Sequence, residues 1–125
     1  MAEYHIYSGI TSSWLTLSSY DDYMYIHNGG SANYTTLNGA YMLILSGGYA
    51  ANTTISNGGT LLIGYDYGGG SANNITVKAG GMLYVASGAS ATNVNWTPCE
   101  GYVQVADGAY VTYASNYRNI ICCAT

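Results

Sequence analysis

This chain contains an internal repeat of about 20 residues. Each copy has a glycine turn, a small residue, Ala, Asn, and a Thr- or Asn-rich approach to a large apolar residue. The skeleton recurs in HNGGSANYTTL (27–37), LSGGYAANTTI (45–55), YGGGSANNITV (67–77) and ASGASATNVNW (86–96). Degenerate copies at 7–17 and 106–114 extend the repeats to about residues 4–114. A repeat of this length predicts a fold built by stacking equivalent units.

Each copy contains two strands. The strand before the leading turn shows apolar-x-apolar alternation, which indicates one inward and one outward face. These inward pairs are Tyr4/Ile6, Met24/Ile26, Met42/Ile44, Leu61/Ile63, Leu83/Val85 and Val103/Val105. A single strand-turn-strand unit cannot bury its apolar side chains, whereas stacked units bury them as continuous ladders. The sequence therefore predicts an all-β fold: one β-solenoid domain over residues 1–125, with five to six coils of about 20 residues.

A β-sandwich is the alternative fold, because it also accommodates strands about every ten residues. Sandwiches do not repeat one residue skeleton at a fixed period, and disordered chains lack the Tyr, Ile, Val and Leu that are abundant here. The solenoid is therefore the favoured prediction.

Glycines punctuate the repeat, and we interpret them as corner residues because a positive φ costs Gly little. The predicted corner glycines are Gly29, Gly30, Gly47, Gly48, Gly58, Gly59, Gly69, Gly70, Gly80, Gly81 and Gly88. Alanines are expected where a corner leaves little room, at Ala32, Ala50, Ala72 and Ala91. Asparagines are expected to stack as an amide ladder along the corners, at Asn33, Asn52 and Asn73.

The low charge of the chain argues against several classes of partner. Only 6% of the residues are charged, and the net charge is -4. Lys78 and Arg118 are too few to form a nucleic-acid surface or a polybasic membrane patch. The longest apolar run, at 41–45, is too short to span a membrane, and the N-terminus lacks the pattern of a secretion signal. We therefore expect no nucleic-acid partner and no membrane insertion by this segment.

No catalytic, metal or cofactor site is predicted. The glycine-rich stretch at 68–71 lacks the Lys of a phosphate-binding loop, and Asp66 alone does not make a calcium-binding β-roll. A polysaccharide-active enzyme would need paired carboxylates, and the one close pair, at 21–22, is interpreted as a solvated turn. His5 and His27 are interpreted as surface imidazoles. We expect a protein without catalysis and without a cofactor.

Tyrosine is abundant, with 15 in the chain, and falls at or beside outward positions in successive coils. Rows of Tyr and Thr would make a flat, uncharged face suited to contacts with glycans or proteins. Alternatively, cross-strand aromatic pairs only stabilise the sheet. The candidate contact face consists of Tyr25, Tyr49, Tyr84 and Tyr102. The Asn-x-Thr sequons are interpreted as a by-product of the repeat, at Asn33, Asn52, Asn74 and Asn95.

The segments GGYAANTTISNGGTLLI (47–63) and GGSANNITVKAGGMLYV (69–85) resemble the strand-loop-strand repeat of autotransporter passengers, the AIDA-type repeat of diffuse-adherence adhesins. The resemblance covers about residues 4–114 and is most specific in the middle copies. It implies a right-handed parallel β-helix, an extracellular or cell-surface location, and a structural or adhesive stalk. Some members of the family carry heptose on Ser and Thr, so the resemblance makes Thr36, Thr54 and Thr76 candidate glycan acceptors.

Two functions remain open at this point: a non-catalytic adhesive stalk fragment, and a carbohydrate-binding module that uses an outward tyrosine and threonine face. The expected partners are host or bacterial surface glycans or proteins, and exposed solenoid ends favour end-to-end self-association. Residues 115–125 are interpreted as a cap or a truncated further repeat. Cys99 could form one disulfide bridge with Cys122 or Cys123 in an oxidising compartment, and idle thiols are the alternative.

Overall fold

Alternating apolar residues and glycine turns give the backbone a two-sheet coil. The computed structural model describes residues 2–64, 69–96 and 101–113, and in these ranges it contains fourteen strands and no helix. Sheet A consists of β1 (Ala2–Ile6), β4 (Asp22–Ile26), β7 (Tyr41–Ile44), β9 (Thr60–Ile63), β11 (Met82–Val85) and β13 (Tyr102–Val105). Sheet B consists of β2 (Thr11–Ser13), β3 (Thr16–Leu17), β5 (Ser31–Asn33), β6 (Thr36–Asn38), β8 (Tyr49–Ser56), β10 (Ser71–Val77), β12 (Ser90–Trp96) and β14 (Tyr110–Tyr113).

Every strand pairing in the described ranges is parallel. Each coil supplies one strand to sheet A and then, after a glycine turn, a strand or a split pair of strands to sheet B. Sheet A runs β1-β4-β7-β9-β11-β13, so each of its strands pairs with its equivalent in the neighbouring coil. The predicted β-solenoid is confirmed, with about five turns. The three cysteines and the predicted cap at 115–125 lie outside the described residues.

The core lies between the two sheets and consists of ladders of equivalent side chains. One inward row of sheet A runs Tyr4, Met24, Met42, Leu61, Leu83 and Val103, and the other runs Ile6, Ile26, Ile44, Ile63, Val85 and Val105. In the central coils these side chains are buried in a single hydrophobic cluster. The four predicted alanines align as one buried row of sheet B. The described residues include no helix that could span a membrane.

The corner glycines are of two physical kinds. Most of those predicted have positive φ and lie at the turns, at Gly29, Gly47, Gly58, Gly69, Gly70, Gly80 and Gly88. The second glycine of four pairs is buried and has no positive φ, at Gly30, Gly48, Gly59 and Gly81. At these four positions a Cβ would collide with a backbone carbonyl oxygen of the adjacent coil, for example at 2.5 Å from the Leu37 oxygen for Gly59. Close approach of two coils, and not a left-handed backbone, requires glycine there.

Two polar residues occupy core positions that sequence reasoning did not identify. Thr35 and Thr53 are each 1% exposed, and they align with Ile75 and Val94 in one inward row of sheet B. Among the described residues neither hydroxyl oxygen has a hydrogen-bond partner. In the alignment of the repeat copies, these threonines occupy the same position as Ile75 and Val94. The sequence alone could therefore have identified them as inward residues.

We expect Thr53→Val to stabilise the protein by about 1 kcal/mol, because it removes a buried hydroxyl that makes no hydrogen bond and keeps the shape of the side chain. The melting temperature should rise by about 3–5 °C. Thr54→Val is the matched control, since Thr54 lies on the outward side of the same strand and should change stability by less than about 0.5 kcal/mol. A loss of stability in Thr53→Val would contradict the assignment of an unsatisfied hydroxyl.

Candidate functional site: the outward faces of the solenoid

The two outward faces differ in chemistry. The outward positions of sheet A are rich in aromatic and aliphatic side chains, whereas those of sheet B carry hydroxyls and amides. The three candidate glycan acceptors, Thr36, Thr54 and Thr76, are cross-strand partners in one row of sheet B, and each is partly exposed. Thr16 and Asn95 extend that row at its two ends. Four successive coils therefore present a regular line of hydroxyl groups, and the row ends in the amide of Asn95.

The structure does not bring the four candidate contact tyrosines onto one face. Tyr25 and Tyr84 share one outward row of sheet A, and Tyr102 lies in the neighbouring row of that sheet. Tyr49 lies on sheet B, where its cross-strand partners are Ser31 and Ser71. The expectation of a single face is wrong because alternation separates inward from outward but does not say which sheet a strand joins. Tyr49 comes directly after the leading glycine turn of its coil, whereas the other three tyrosines lie in the strand before such a turn. This difference assigns each tyrosine to its sheet.

The aromatic rings on sheet A stack on one another instead of lying flat. Ring centroids are 4.9 Å apart between Tyr23 and Tyr41 and between His5 and Tyr25, with interplanar angles of 9° in both pairs. These separations match the spacing of neighbouring strands, about 4.8 Å, so the ring normals run along the solenoid axis and the ring edges face solvent. Such stacks act as cross-strand pairs that stabilise the sheet by about 0.2–1 kcal/mol each. They do not form the flat face that the sequence suggested.

Two histidines and one carboxylate form a hydrogen-bonded group at the end of sheet A. His5 Nδ1 lies 3.0 Å from His27 Nε2, and His5 Nε2 lies 3.3 Å from Glu3 Oε1. A neutral His5 that donates to Glu3 through Nε2 must accept from His27 through Nδ1, so the pair shares one proton between its two facing nitrogens. Across the described ranges, no group of three or more His, Cys, Asp or Glu side chains is placed to hold a metal ion.

The predicted acidic turn has its own local partner. Ser19 Oγ donates to Asp21 Oδ1 at 2.6 Å, and the backbone N–H of Asp22 donates to the Ser19 carbonyl at 2.9 Å. The hydrogen bond from Ser19 holds the pKa of Asp21 below its usual value. Asp21 is therefore engaged in its own turn, as the sequence predicts for this pair of carboxylates.

A shallow cleft of about 200 Å³ lies further along sheet A. Its lining is Leu62, Tyr84, Val85, Ala86, Gln104 and Ala106. Among the described residues, Tyr84 is the one titratable residue of that lining. The cleft therefore offers mainly apolar contact.

One position has a left-handed backbone in five successive coils of sheet B, and only the coil of β14 lacks it among the described residues. Its φ is 61° at Trp14, 56° at Tyr34, 56° at Asn52, 60° at Asn74 and 55° at Asn93. Asn tolerates this conformation because its short polar side chain can hydrogen-bond locally, whereas large side chains adopt it rarely. Where the residue is Asn, one continuous strand passes through the position (β8, β10 and β12). Where it is Trp or Tyr, two short strands flank it.

The asparagines at this position form a ladder, which begins at Asn33, the residue before the left-handed Tyr34. Asn52 Nδ2 donates to Asn33 Oδ1 at 2.9 Å, Asn74 Nδ2 donates to Asn52 Oδ1, and Asn93 Nδ2 donates to Asn74 Oδ1 at 3.3 Å. The expected ladder of Asn33, Asn52 and Asn73 is thus wrong in its third member. Asn73 precedes the left-handed position, and its Oδ1 accepts from Thr92 Oγ1 at 2.8 Å.

The ladder also explains two of the sequons. The amide nitrogens of Asn52 and Asn74, to which an N-linked glycan would be attached, are donors to the neighbouring coil. A glycan would replace one of the two hydrogens of each such nitrogen and would stand directly beside the neighbouring coil. This geometry agrees with the interpretation that the repeat itself generates the sequons.

Trp14 and Tyr34 depart from this pattern at an energetic cost. Their rings stack at a centroid distance of 4.1 Å with planes inclined by 2°. A left-handed backbone costs a large residue about 1–3 kcal/mol at each position, while one aromatic stack contributes about 0.5–1.5 kcal/mol. Trp14 also remains 75% exposed, so its ring adds little burial. Stability alone therefore favours Asn at both positions.

The comparisons with known proteins agree with this geometry. No protein-family model matches the sequence, and the comparison with curated proteins finds no match. Among solved structures, the chain is similar to the crystal structure of a TibC-catalysed, hyper-glycosylated TibA fragment, residues 55–350, with 27% identity and a TM-score of 0.68. The match covers 93% of this chain and 52% of that one, so the chain spans about half of the fragment's length. TibA is an AIDA-type autotransporter adhesin, and the likeness supports a related passenger repeat in this chain.

Proposed function

We propose that this chain is part of a non-catalytic stalk in the passenger of an autotransporter-type adhesin, displayed outside the cell. The observation that supports this proposal best is the unbroken parallel ladder of coils, together with the likeness to the TibA fragment. Each coil contacts its neighbours along its whole length, so the ladder is a rod that holds its outward rows at a fixed spacing. Five turns at about 4.8 Å each give a rod about 25 Å long.

The outward rows supply what such a stalk presents. Sheet B offers the hydroxyl row of Thr36, Thr54 and Thr76, which we propose as the glycan acceptors because all three are partly exposed and none faces the core. The solved relative is itself hyper-glycosylated. Uncharged hydroxyl and aromatic rows also suit contact with glycans or proteins of a host or bacterial surface. We also propose end-to-end contact between copies, since the edge of a parallel sheet can pair with a strand of another chain.

The location and the adhesive role can be tested on the cell that makes the protein. Antibodies against the chain are expected to label intact cells, and beads that carry the chain should be retained on epithelial monolayers several-fold better than beads that carry serum albumin. Labelling that requires permeabilised cells would contradict surface display, and equal retention of both beads would contradict adhesion. If the threonine row carries sugars, the protein isolated from those cells will exceed its sequence mass by whole sugar units, and Thr54→Val will reduce that excess.

A further inference from the structure

Two tyrosines of sheet A are direct cross-strand partners. Tyr23 in β4 and Tyr41 in β7 occupy the same outward row in adjacent coils. In that row Glu3 lies in the coil before the pair and Thr60 in the coil after it, so the coils on both sides are among the described residues. Every other tyrosine in the described strands has cross-strand partners of other residue types. Within those strands, this pair is therefore the one place where the repeat sets two phenols side by side.

The two rings are held in parallel contact. Their centroids are 4.9 Å apart and their planes are inclined by 9°, so one ring is displaced from the other by about one strand spacing. The contact between Tyr84 and Tyr102 is different, with centroids 6.1 Å apart and planes inclined by 68°. Both Tyr23 and Tyr41 are partly exposed, so a small oxidant in the solvent can reach them. The fold thus holds two accessible phenols next to each other.

The hydroxyl groups of these rings are not needed for stacking. A phenyl ring stacks as a phenol does, yet the chain contains 15 tyrosines and no phenylalanine. The two side chains differ in chemistry, because a phenol gives up one electron and its hydroxyl proton to a one-electron oxidant. The radical that results carries spin on the ring carbons next to the oxygen, and two such radicals in contact couple. The choice of tyrosine at both positions therefore points to oxidative chemistry.

We propose that Tyr23 and Tyr41 form a modification site, at which a haem peroxidase and hydrogen peroxide join the two rings. Each phenol loses one electron to the peroxidase and one proton to water. A carbon–carbon bond forms between ring carbons next to the two oxygens, and each coupled carbon then releases its hydrogen as a proton while the ring oxygen takes a proton up. The pair loses two electrons and two protons in total, and one hydrogen peroxide accepts them and becomes two water molecules.

The geometry favours this bond over one between two molecules. Two groups held in contact react as if each were present at a very high concentration, whereas separate chains must meet by diffusion. The bond would join β4 to β7 and close a loop of about one coil. A cross-link that closes a loop of this length restricts the unfolded chain, so the melting temperature should rise by roughly 5–15 °C. This goes beyond the proposed stalk, which needs no covalent bond between its coils.

The test is oxidation of the purified chain at low micromolar concentration by a haem peroxidase with hydrogen peroxide. The monomer is then separated from cross-linked oligomers under denaturing conditions. We expect the monomer to show the fluorescence of dityrosine, and peptide mapping by mass spectrometry to find Tyr23 joined to Tyr41 with the loss of two hydrogen atoms. The oxidised monomer should also melt at the higher temperature given above. The same treatment in denaturant should give much less dityrosine in the monomer, because the contact between the rings exists only in the folded chain.

Two variants make the result specific. Tyr41→Phe keeps a stacking ring but removes one phenol, so its melting temperature before oxidation should lie within a few degrees of the native value while its yield of dityrosine in the monomer falls about tenfold. Tyr84→Phe removes a tyrosine of the inclined contact and should leave the yield unchanged. The proposal would be overturned by the absence of dityrosine from the native monomer, by cross-links that map to other tyrosines, or by an equal yield in Tyr41→Phe. An oxidised monomer that melts no higher than the untreated chain would also overturn it.

Discussion

Leu61→Ala is expected to lower the free energy of unfolding by about 3–4 kcal/mol. Leu61 is fully buried in a central strand of sheet A, between Met42 in one coil and Leu83 in the next. In a solenoid each coil is stabilised only by its neighbours, so a cavity at this point weakens two interfaces together. A domain of this size has a total stability of about 5–15 kcal/mol, and the loss is therefore a large fraction of it. Denaturant unfolding monitored by circular dichroism measures the change.

Leu62→Ala is the matched control for this prediction. Leu62 is the next residue of the same strand, lies on the outward side, and is partly exposed. Its truncation should cost about 1 kcal/mol or less, because the removed atoms are only partly withdrawn from water. Equal losses for the two variants would mean that the strand does not have one buried and one solvated face.

The arrangement of coils could be read from the sequence because it follows from local physics. The apolar residues alternate with a period of two within each strand, and the glycine turns recur about every 20 residues. Stacking of equivalent coils accounts for both periods. Met42 and Ile44 illustrate this, since their alternation alone assigns them to the core, where the structure places them. Leu43 lies between these two residues in the strand, and the alternation does not predict that it is buried. It faces outward yet is only 8% exposed, and it lies outside the core cluster, so outward neighbours cover it.

The candidate sites were less predictable because they depend on the backbone at single residues. Both the seventh and the eighth position of the repeat carry asparagines, and only the eighth is left-handed, so Asn73 was assigned to the ladder in place of Asn74. The same position holds Trp14 and Tyr34, which no pattern of hydrophobicity marks as special. Their significance appears only when the φ angle shows that an aromatic residue stands where asparagine would be less strained.

Glycine shows the same limit, since sequence alone does not say why a glycine is needed. Within the pair Gly58 and Gly59, the first has a φ of 89° and open space around it. The second has no positive φ and is buried against the carbonyl oxygen of Leu37 in the preceding coil. Adjacent glycines therefore serve two functions, turning the chain and allowing two coils to approach.

We expect Gly59→Ala to destabilise the protein by about 3 kcal/mol, because the new Cβ would lie 2.5 Å from the Leu37 oxygen and the two coils would have to separate. Gly58→Ala should cost only about 1 kcal/mol, the penalty of a left-handed backbone for an alanine in open space. Asparagine sharpens the contrast, since it tolerates a left-handed backbone: Gly58→Asn should be close to native, whereas Gly59→Asn should be at least as damaging as Gly59→Ala. Thermal and denaturant unfolding of the four variants measure these differences. If the Gly58 variants prove the more destabilising pair, backbone conformation and not the approach of the coils sets the need for glycine at these corners.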